Sequence, residues 1–342
     1  MRLSRRGFLI GGGAAVAAAG VAGAALAQRP QAFSGATPIA VSAEPISRFS
    51  VSDPDRSRFG ALFFRSGLTL KSPVSGFGGF SGLWRSDDGR EILALADNAQ
   101  FLSARTETAE GRLSGLADTV MTPLLLSNGR PLRRTRYYDT ESLAISGKTA
   151  FIGVERNHAV IRFDLGRDGS FLRGVPIPTP KELKDLPSNG GLEALAVAPQ
   201  QSPLAGALVA VAEYVKGSDD TPTKGFILTG PRQGAFDVAR SNGYNISDMA
   251  FLANGDVLLL ERRFSLFGGF ACRLRRVGAS AIRPGARVDG EIIYESDASH
   301  QIDNMEGLCV HREGGETILT LISDDNFSPF QRTVLLEFAL AG

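Results

Sequence analysis

The stretch ESLAISGKTAFIGVE, residues 141–155, shows the pattern that decides the fold. An acidic residue opens a short apolar run, a turn sequence follows, and a second apolar run ends on another acid. Two such runs joined by a tight turn predict an antiparallel hairpin, in which the start of one strand lies beside the end of its partner. The pattern therefore brings Glu141 and Glu155 to the same end of one hairpin.

The same order occurs five times along the chain, opened by a polar residue in the first unit and by an acid in the others, with steps of 60, 52, 55 and 58 residues between the opening positions. A repeat of this length indicates an array of similar supersecondary units. The opening residues are Ser81, Glu141, Glu193, Asp248 and Glu306, and the residues that end the second runs are Asp97, Glu155, Glu213, Glu261 and Asp324.

The strand pattern predicts an all-β protein. Each unit offers about four short strands separated by turn signals, and the only weak helical candidate is Thr179–Leu186. Four-stranded units in tandem match the blades of a β-propeller. We expect five blades, or six if the irregular region 107–138 forms a sheet of its own. The last unit lacks a fourth strand, and the unassigned strand in Phe59–Leu70 is expected to supply it and so close the ring.

Residues 1–27 have the features of a twin-arginine export signal. SRRGFL at 4–9 precedes a glycine- and alanine-rich apolar stretch that ends in a small-x-small cleavage pattern. A retained membrane anchor is the alternative, although so much glycine makes a poor bilayer span. We expect a periplasmic or secreted protein without stable membrane insertion after cleavage, in which 28–58 is a linker and 59–342 a single propeller domain.

The charge balance gives no basis for binding nucleic acid. Removing the signal takes away three of the 37 basic residues and none of the 36 acidic ones, so the remainder carries a net charge of −2. A nearly neutral chain does not attract a polyanion. We expect a monomer that binds a small anionic substrate. Cys272 and Cys309 fall on strands of different units, which favours two buried free thiols over the disulfide that an oxidising compartment would permit.

The recurrent acids predict a metal site. Because the first strand of each propeller blade lines the central channel, the acids are expected to surround the channel mouth. Crowded carboxylates repel one another unless they are protonated, paired or bound to metal. An all-oxygen donor set suits Ca²⁺, whereas zinc or copper would need more His and Cys than this chain offers. The predicted ligands are Asp97, Glu141, Glu155, Glu193, Glu213, Asp248, Glu261, Glu306, Asp324 and Asp325. The alternative is that each acid accepts hydrogen bonds from turns or pairs with a neighbouring arginine.

Basic residues follow three of the acids within a few positions, and they could clamp an anionic group beside a metal. These candidates for substrate binding are Arg156, Lys216 and Arg262. Glu193 and His158 are the candidates for proton transfer in catalysis. Neither a G-x-S-x-G nucleophile motif nor a phosphate-binding glycine loop is present.

Several segments resemble bacterial exported proteins of the phytase-like group, which is described as having esterase-like activity of phytase. They include YDTESLAI (138–145), FIGVERNHAVIRFDL (151–165), NGGLEALAV (189–197) and DNMEGLCV (303–310), and the likeness spans nearly all of 60–340. The resemblance implies a β-propeller that hydrolyses a phosphoester with calcium. Positions that match the group's recurrent polar residues are Asp97, Glu141, Glu155, Arg156, His158, Glu193, Glu261, Arg262, Glu306, Asp324 and Asp325.

The preferred hypothesis from the sequence is calcium-assisted hydrolysis of a phosphate or related ester at an acidic channel mouth. Two alternatives stay open. One is a calcium-dependent sugar lactonase, which would need only three or four of the acids. The other is a non-catalytic binding or scaffold propeller in which the acids are structural.

Overall fold

The computed structural model describes residues 31–342 except 167–169 and 172. The predicted export signal lies outside the described residues. In the described part, five small sheets are arranged as a five-bladed β-propeller, which confirms the predicted fold class. None of the helices in these ranges has the length and apolar character needed to cross a bilayer.

The strands are numbered here in chain order. Four N-terminal strands are β1 (Thr37–Pro38), β2 (Ser42–Pro45), β3 (Arg58–Phe59) and β4 (Leu62–Lys71). The first blade follows with β5 (Phe80–Arg85), β6 (Glu91–Ala96), β7 (Gln100–Ala109) and β8 (Arg112–Pro123). The second blade has β9 (Thr140–Ser146), β10 (Thr149–Val154), β11 (Ala159–Asp164) and β12 (Val175–Ile177).

The third blade contains β13 (Leu192–Val197), β14 (Leu208–Ala212), β15 (Thr223–Ile227) and β16 (Gly234–Val238). The fourth has β17 (Asn245–Phe251), β18 (Val257–Ser265), β19 (Gly269–Val277) and β21 (Glu291–Glu295). The short strand β20 (Arg287–Val288) lies between β19 and β21 in the chain but pairs with β16 of the third blade. The fifth has β22 (Met305–Glu313), β23 (Glu316–Ser323) and β24 (Thr333–Leu340). Three short 3₁₀ helices cover Leu132–Arg134, Lys181–Asp185 and Ala279–Ala281, and the second of them lies in the weak helical candidate.

The first strands of the five blades form the innermost layer of the ring. Strand β5 lies beside β9, and β9, β13, β17 and β22 follow in turn until β22 again lies beside β5. The five hydrophobic clusters each fill the space between two adjacent blades, so most inner strands are buried on both faces. Burial on both faces explains why these strands are continuous apolar runs rather than alternating ones.

The N-terminal strand β4 closes the ring as predicted. It pairs antiparallel with β24 and supplies the fourth strand of the last blade. A buried ion pair between Arg85 of the first blade and Glu337 of β24, 2.7 Å apart, joins the last blade to the first. The Ser66 hydroxyl of β4 donates to the second oxygen of Glu337 at 3.0 Å.

Region 107–138 does not form a separate sheet, so five blades rather than six is correct. Strands β7 and β8 belong to the first blade and make a long hairpin there. The stretch predicted as a linker also contributes structure from residue 31 onward, since β1 pairs with β8 and β2 with β4. Its apolar side chains Phe33, Ile46 and Phe49 are buried against the propeller, which a solvated tether would not allow.

Both cysteines are free and buried, as expected. Cys272 lies on β19 of the fourth blade and Cys309 on β22 of the fifth. Burial raises the pKa of each thiol to about 12, so neither is a thiolate near neutral pH.

Candidate metal centre at the channel mouth

A β-bulge occurs at the start of the innermost strand in every blade. The pairing register of the first strand with the second shifts there by one residue, which leaves one extra residue on the first strand. Bulges of this kind re-aim a side chain and are common beside active sites. The bulged residues are Ser81, Glu141, Glu193, Ser247 and Glu306.

The second strand of each hairpin also contributes one residue at this end. It directly follows the residue that pairs with the first strand just before the bulge. In four blades this residue is acidic, and its N–H donates to a carbonyl just before the first strand at 2.8–3.0 Å. The five positions are Asp97, Glu155, Glu213, Arg262 and Asp324. We call these five residues, together with the five bulged ones, the mouth ring.

The fourth blade differs from the sequence prediction by one residue on both strands. Ser247 and Arg262 occupy the mouth ring where Asp248 and Glu261 were expected. A shift of one residue turns a strand side chain to the opposite face. The prediction that Asp248 and Glu261 belong to a shared carboxylate cluster is therefore not met by their positions.

Asp248 and Glu261 instead have structural partners inside the blades. Asp248 accepts hydrogen bonds from the N–H groups of Leu308 and Met249 at 2.6 and 2.8 Å, and complete burial raises its pKa well above the usual range. Glu261 is fully buried between Arg273 and Arg275, with nitrogen–oxygen distances of 2.6 and 2.7 Å.

The second and third blades bring five acids together. Oxygen atoms of Asp139, Glu141 and Glu155 all lie within 4.8 Å of one another. A second group, with the same mutual limit of 4.8 Å, consists of Glu155, Glu193 and Glu213. Glu155 belongs to both groups, so the carboxylates form one continuous cluster that could hold a cation.

Asp139 was missed by the sequence reasoning. It directly precedes the first residue of β9, and its backbone has a positive φ of 73°. Such a conformation is uncommon outside glycine, and aspartate is among the residues that adopt it most readily. Its place immediately before an inner strand was the signal that could have identified it. The guanidinium of Arg156 pairs with its carboxylate, so Arg156 contacts the cluster through Asp139.

A second acidic group lies between the fifth and first blades. Burial and the negative charges of Glu306 and Asp97 raise the pKa of Asp324 well above the usual range. Glu306 accepts from the Asn304 amide at 2.9 Å through one oxygen, while its other oxygen is buried without a hydrogen-bond partner among the described residues. Buried carboxylate oxygens in such crowding are stabilised by a cation.

Arg262 connects the two acidic groups. Its guanidinium nitrogens lie 3.2 Å from an oxygen of Glu213 and 3.1 Å from an oxygen of Glu306, and all three side chains are largely buried. One ring position is thus filled by a cation that the chain itself supplies.

Asp325 lies next to the ring but serves the local backbone. Its oxygens accept hydrogen bonds from the N–H groups of Gly79 and Phe327 and from the Thr333 hydroxyl, at 2.9–3.0 Å. Gly78 passes so close that a Cβ there would lie 2.4 Å from an Asp325 oxygen. Burial raises the pKa of Asp325.

His158 lies in the turn after Glu155. Its backbone N–H donates to the Glu155 carbonyl at 3.1 Å, and its ring contacts the backbone of Leu186. Burial lowers the pKa of the imidazole, which favours the neutral form near pH 7.

A cleft of about 830 Å³ opens beside the ring between the third and fourth blades. Glu213, Arg262 and Glu306 form its edge toward the channel. Its other charged and aromatic walls are Tyr214, Lys216, Asp219, Arg240, Arg263, Phe264 and Phe270. Acids and cations therefore meet at one opening, as the sequence suggested for Lys216 and Arg262.

A family model described as "Phytase-like: Esterase-like activity of phytase" matches residues 75–327. The chain belongs to the phytase-like family. The match includes all ten positions of the mouth ring. As a phytase-like propeller, the protein has a fold and a polar channel mouth that fit a hydrolase-like role.

Several solved structures align with this phytase-like chain. A glutaminyl cyclase from Myxococcus xanthus is 12% identical with a TM-score of 0.39, and the alignment covers 78% of this chain and 92% of that one. A putative 6-phosphogluconolactonase from Bacteroides fragilis is 12% identical with a TM-score of 0.38, covering 84% and 92%. A PQQ-bound aldose sugar dehydrogenase from Streptomyces coelicolor is 11% identical with a TM-score of 0.40, covering 88% and 99%. A search of curated proteins returned no match.

Proposed function

We propose that this protein is a calcium-assisted hydrolase of a phosphate or related ester that acts at the channel mouth. The observation that carries the proposal is the pair of carboxylate groups that share Glu155, each with oxygens within 4.8 Å of one another. Membership of the phytase-like family supports the same class of reaction.

The donor set fits calcium. The candidate ligands offer only carboxylate oxygens, which Ca²⁺ accepts in flexible geometry, and Glu141, Glu155, Glu193 and Glu213 are all buried. Burial and the neighbouring charges of Glu306 and Asp97 raise the pKa of Asp324, so negative charge at this part of the ring is costly without a cation. When bound, calcium would offset this charge and supply a positive centre for an anionic ester.

The protein's own residues provide orientation and proton transfer. Lys216 and Arg262 line the cleft and would hold the anionic group of the ester against the ring. Glu193, whose carboxylate lies in the group with Glu155 and Glu213, would accept a proton from the attacking water at its carboxylate oxygen. His158 is the second candidate for proton transfer, because its imidazole is neutral near pH 7.

We also propose that the signal in residues 1–27 directs export to the periplasm or secretion from the cell, and that the mature chain acts there as a monomer. Fractionation of cells that express the full-length chain tests the export. A lysine pair in place of Arg5-Arg6 should retain the protein in the cytoplasm.

Activity assays with calcium and then with chelator separate the proposed hydrolase from its rivals. The purified mature protein should hydrolyse p-nitrophenyl phosphate with calcium, and EDTA should abolish turnover. Glu193→Gln should reduce kcat by about a hundredfold or more. Asp237→Asn is the matched control, because Asp237 pairs with Lys224 in the third blade and both side chains are exposed.

Two other outcomes would replace the proposal. Calcium-dependent turnover of a sugar lactone but not of phosphate esters would favour the lactonase, for which Glu155, Glu193 and Glu213 alone offer enough ligands. No turnover and no calcium-dependent change in Tm would favour a scaffold whose ring is neutralised by Arg262.

A further inference from the structure

The cleft beside the mouth ring has an aromatic wall that a purely polar substrate would not use. Phe264 and Phe270 are cross-strand partners on β18 and β19, and their ring centroids are 4.9 Å apart. Both line the cleft, and Phe264 is 40% exposed. Tyr214, which follows Glu213 of the ring, faces the same cleft from the third blade.

The cations of the cleft are few, and three of them already have protein partners. Arg263 donates to the Asn242 carbonyl at 3.1 Å and stacks over Tyr244 at 4.7 Å. Arg240 is largely buried and donates to the Tyr244 carbonyl at 3.2 Å. The remaining cations are Lys216, which is exposed, and Arg262, which pairs with two acids of the ring.

These observations limit the charge of the ligand. Calcium at the ring would serve one phosphate of the ligand. The further phosphates of a polyol would meet only four cations, three of which have protein partners, and the carboxylate of Asp219. Such a ligand would also leave the Phe264–Phe270 pair in contact with polar groups. A ligand with one anionic group and one apolar group matches both the few cations of the cleft and its aromatic wall.

We propose that the cleft selects monophosphate esters of an aromatic or similarly apolar alcohol, with the phosphate toward Lys216 and the ring and the apolar group against Phe264 and Phe270. This inference rests on the proposed function. Hydrolysis would break the bond between phosphorus and the oxygen that carries the aryl group, and it would join the water oxygen to phosphorus. One water proton passes to the departing phenolate, so the products are a phenol and inorganic phosphate.

Binding of two non-hydrolysable probes tests the inference without requiring turnover. Phenylphosphonate and methylphosphonate carry the same anionic group and differ in the apolar one. In calorimetric titrations with calcium present, the wild-type protein should bind phenylphosphonate about tenfold more tightly, because the cleft removes part of the phenyl ring from water. The double variant Phe264→Ala/Phe270→Ala should bind both probes with similar affinity.

Two further variants separate the apolar contact from the charge contact. Lys216→Ala should weaken the binding of both probes by a similar factor and leave the ratio of their dissociation constants unchanged. Phe330→Ala is the matched aromatic control, since Phe330 is 94% exposed and does not line the cleft. The Phe330 variant should keep the wild-type ratio, and melting temperatures should show that all variants fold.

The possible results have different meanings. Equal affinities in the wild-type protein, an unchanged ratio in the double phenylalanine variant, or binding of neither probe would overturn the inference. The expected ratio without calcium-dependent hydrolysis of phenyl phosphate would support the ligand class and refute the proposed hydrolase function.

Discussion

Exchanging Arg262 or Glu261 for glutamine tests which of these neighbouring residues belongs to the mouth ring. In the structure Arg262 pairs with Glu213 and Glu306 of the two adjacent blades, whereas Glu261 pairs with Arg273 and Arg275 inside the fourth blade. Both changes remove one charge from a largely buried ion-pair network. They should therefore have similar effects on stability but different effects on calcium binding.

The stability cost follows from burial. Arg262→Gln leaves Glu213 and Glu306, whose side chains are each 3% exposed, without their shared cation. Breaking a buried pair by removing one partner costs about 3–5 kcal/mol, and the 14% exposure of the Arg262 side chain places it near the lower end. At about 2 °C per kcal/mol for a domain of this size, Tm should fall by about 6 °C. Glu261→Gln should cost at least as much, because it is fully buried with two arginines.

Thermal melts in EDTA and across a calcium titration distinguish the two variants. Calcium should recover most of the Tm lost in Arg262→Gln, because a bound cation takes over the stabilisation of Glu213 and Glu306. Its half-saturating calcium concentration should fall by about tenfold, since the competing guanidinium is gone. Glu261→Gln should keep its deficit at every calcium concentration and titrate at the wild-type midpoint.

The opposite result would refute this reasoning. If Glu261→Gln shifts the calcium midpoint and Arg262→Gln does not, Glu261 faces the channel and the assignment of Arg262 to the ring is wrong. Arg263→Gln is the control, because that side chain is bonded to the Asn242 carbonyl outside the ring and should change neither quantity.

Three other acids and one histidine give further predictions. Burial and nearby carboxylates raise the pKa of Asp324 above 3.8, so stability is lost as the pH rises from 3.8 toward the folded-state pKa. Asp324→Asn should accordingly raise Tm in EDTA at pH 8, and melts at pH 3.5 should show no such gain. Asp325→Ala should lower the free energy of unfolding by about 2 kcal/mol in chemical denaturation, because it leaves two N–H groups and a hydroxyl without their hydrogen-bond acceptor. Asp248→Asn should leave the calcium midpoint of the thermal melts unchanged, because the Asp248 oxygens accept from backbone N–H groups; a shifted midpoint would place Asp248 among the ligands. Burial and the charge of Arg85 lower the pKa of His311 from 6.5 to about 4. The neutral imidazole therefore stabilises the folded state fully above about pH 6.5, and this stability is lost as the pH falls toward 4. His311→Gln should flatten this part of the Tm–pH curve, and an unchanged slope would contradict the role of His311.

Much of the architecture could be predicted because it follows from local patterns. The spacing of hairpins with acidic ends gave five blades, and a spare strand at the front with a missing strand at the back gave the closure by β4 and β24. The same reasoning located Glu141, Glu155, Glu193, Glu213 and Glu306 at one end of the fold. The N-terminal stretch was harder, because the burial of Phe33 and Phe49 depends on surfaces formed by distant residues.

The fourth blade shows where the sequence stops being sufficient. Its run VLLLERR is apolar on both faces until it reaches three consecutive charged residues, so no alternation indicates which of Glu261 and Arg262 faces the channel. The first strand offers Ser247 and Asp248 side by side with the same ambiguity.

The sequence alone therefore determined the repeat, the strand order and the end of the propeller at which polar residues gather, because these depend on spacing along the chain. Only the tertiary structure decided which side chains point into the mouth, since a bulge of one residue reverses the direction of a side chain. It also decided that Asp139 joins the acids, because a positive φ turns the backbone just before β9. The bridge from Arg262 to Glu213 and Glu306 likewise needed the tertiary structure, because it joins three blades that are distant in sequence.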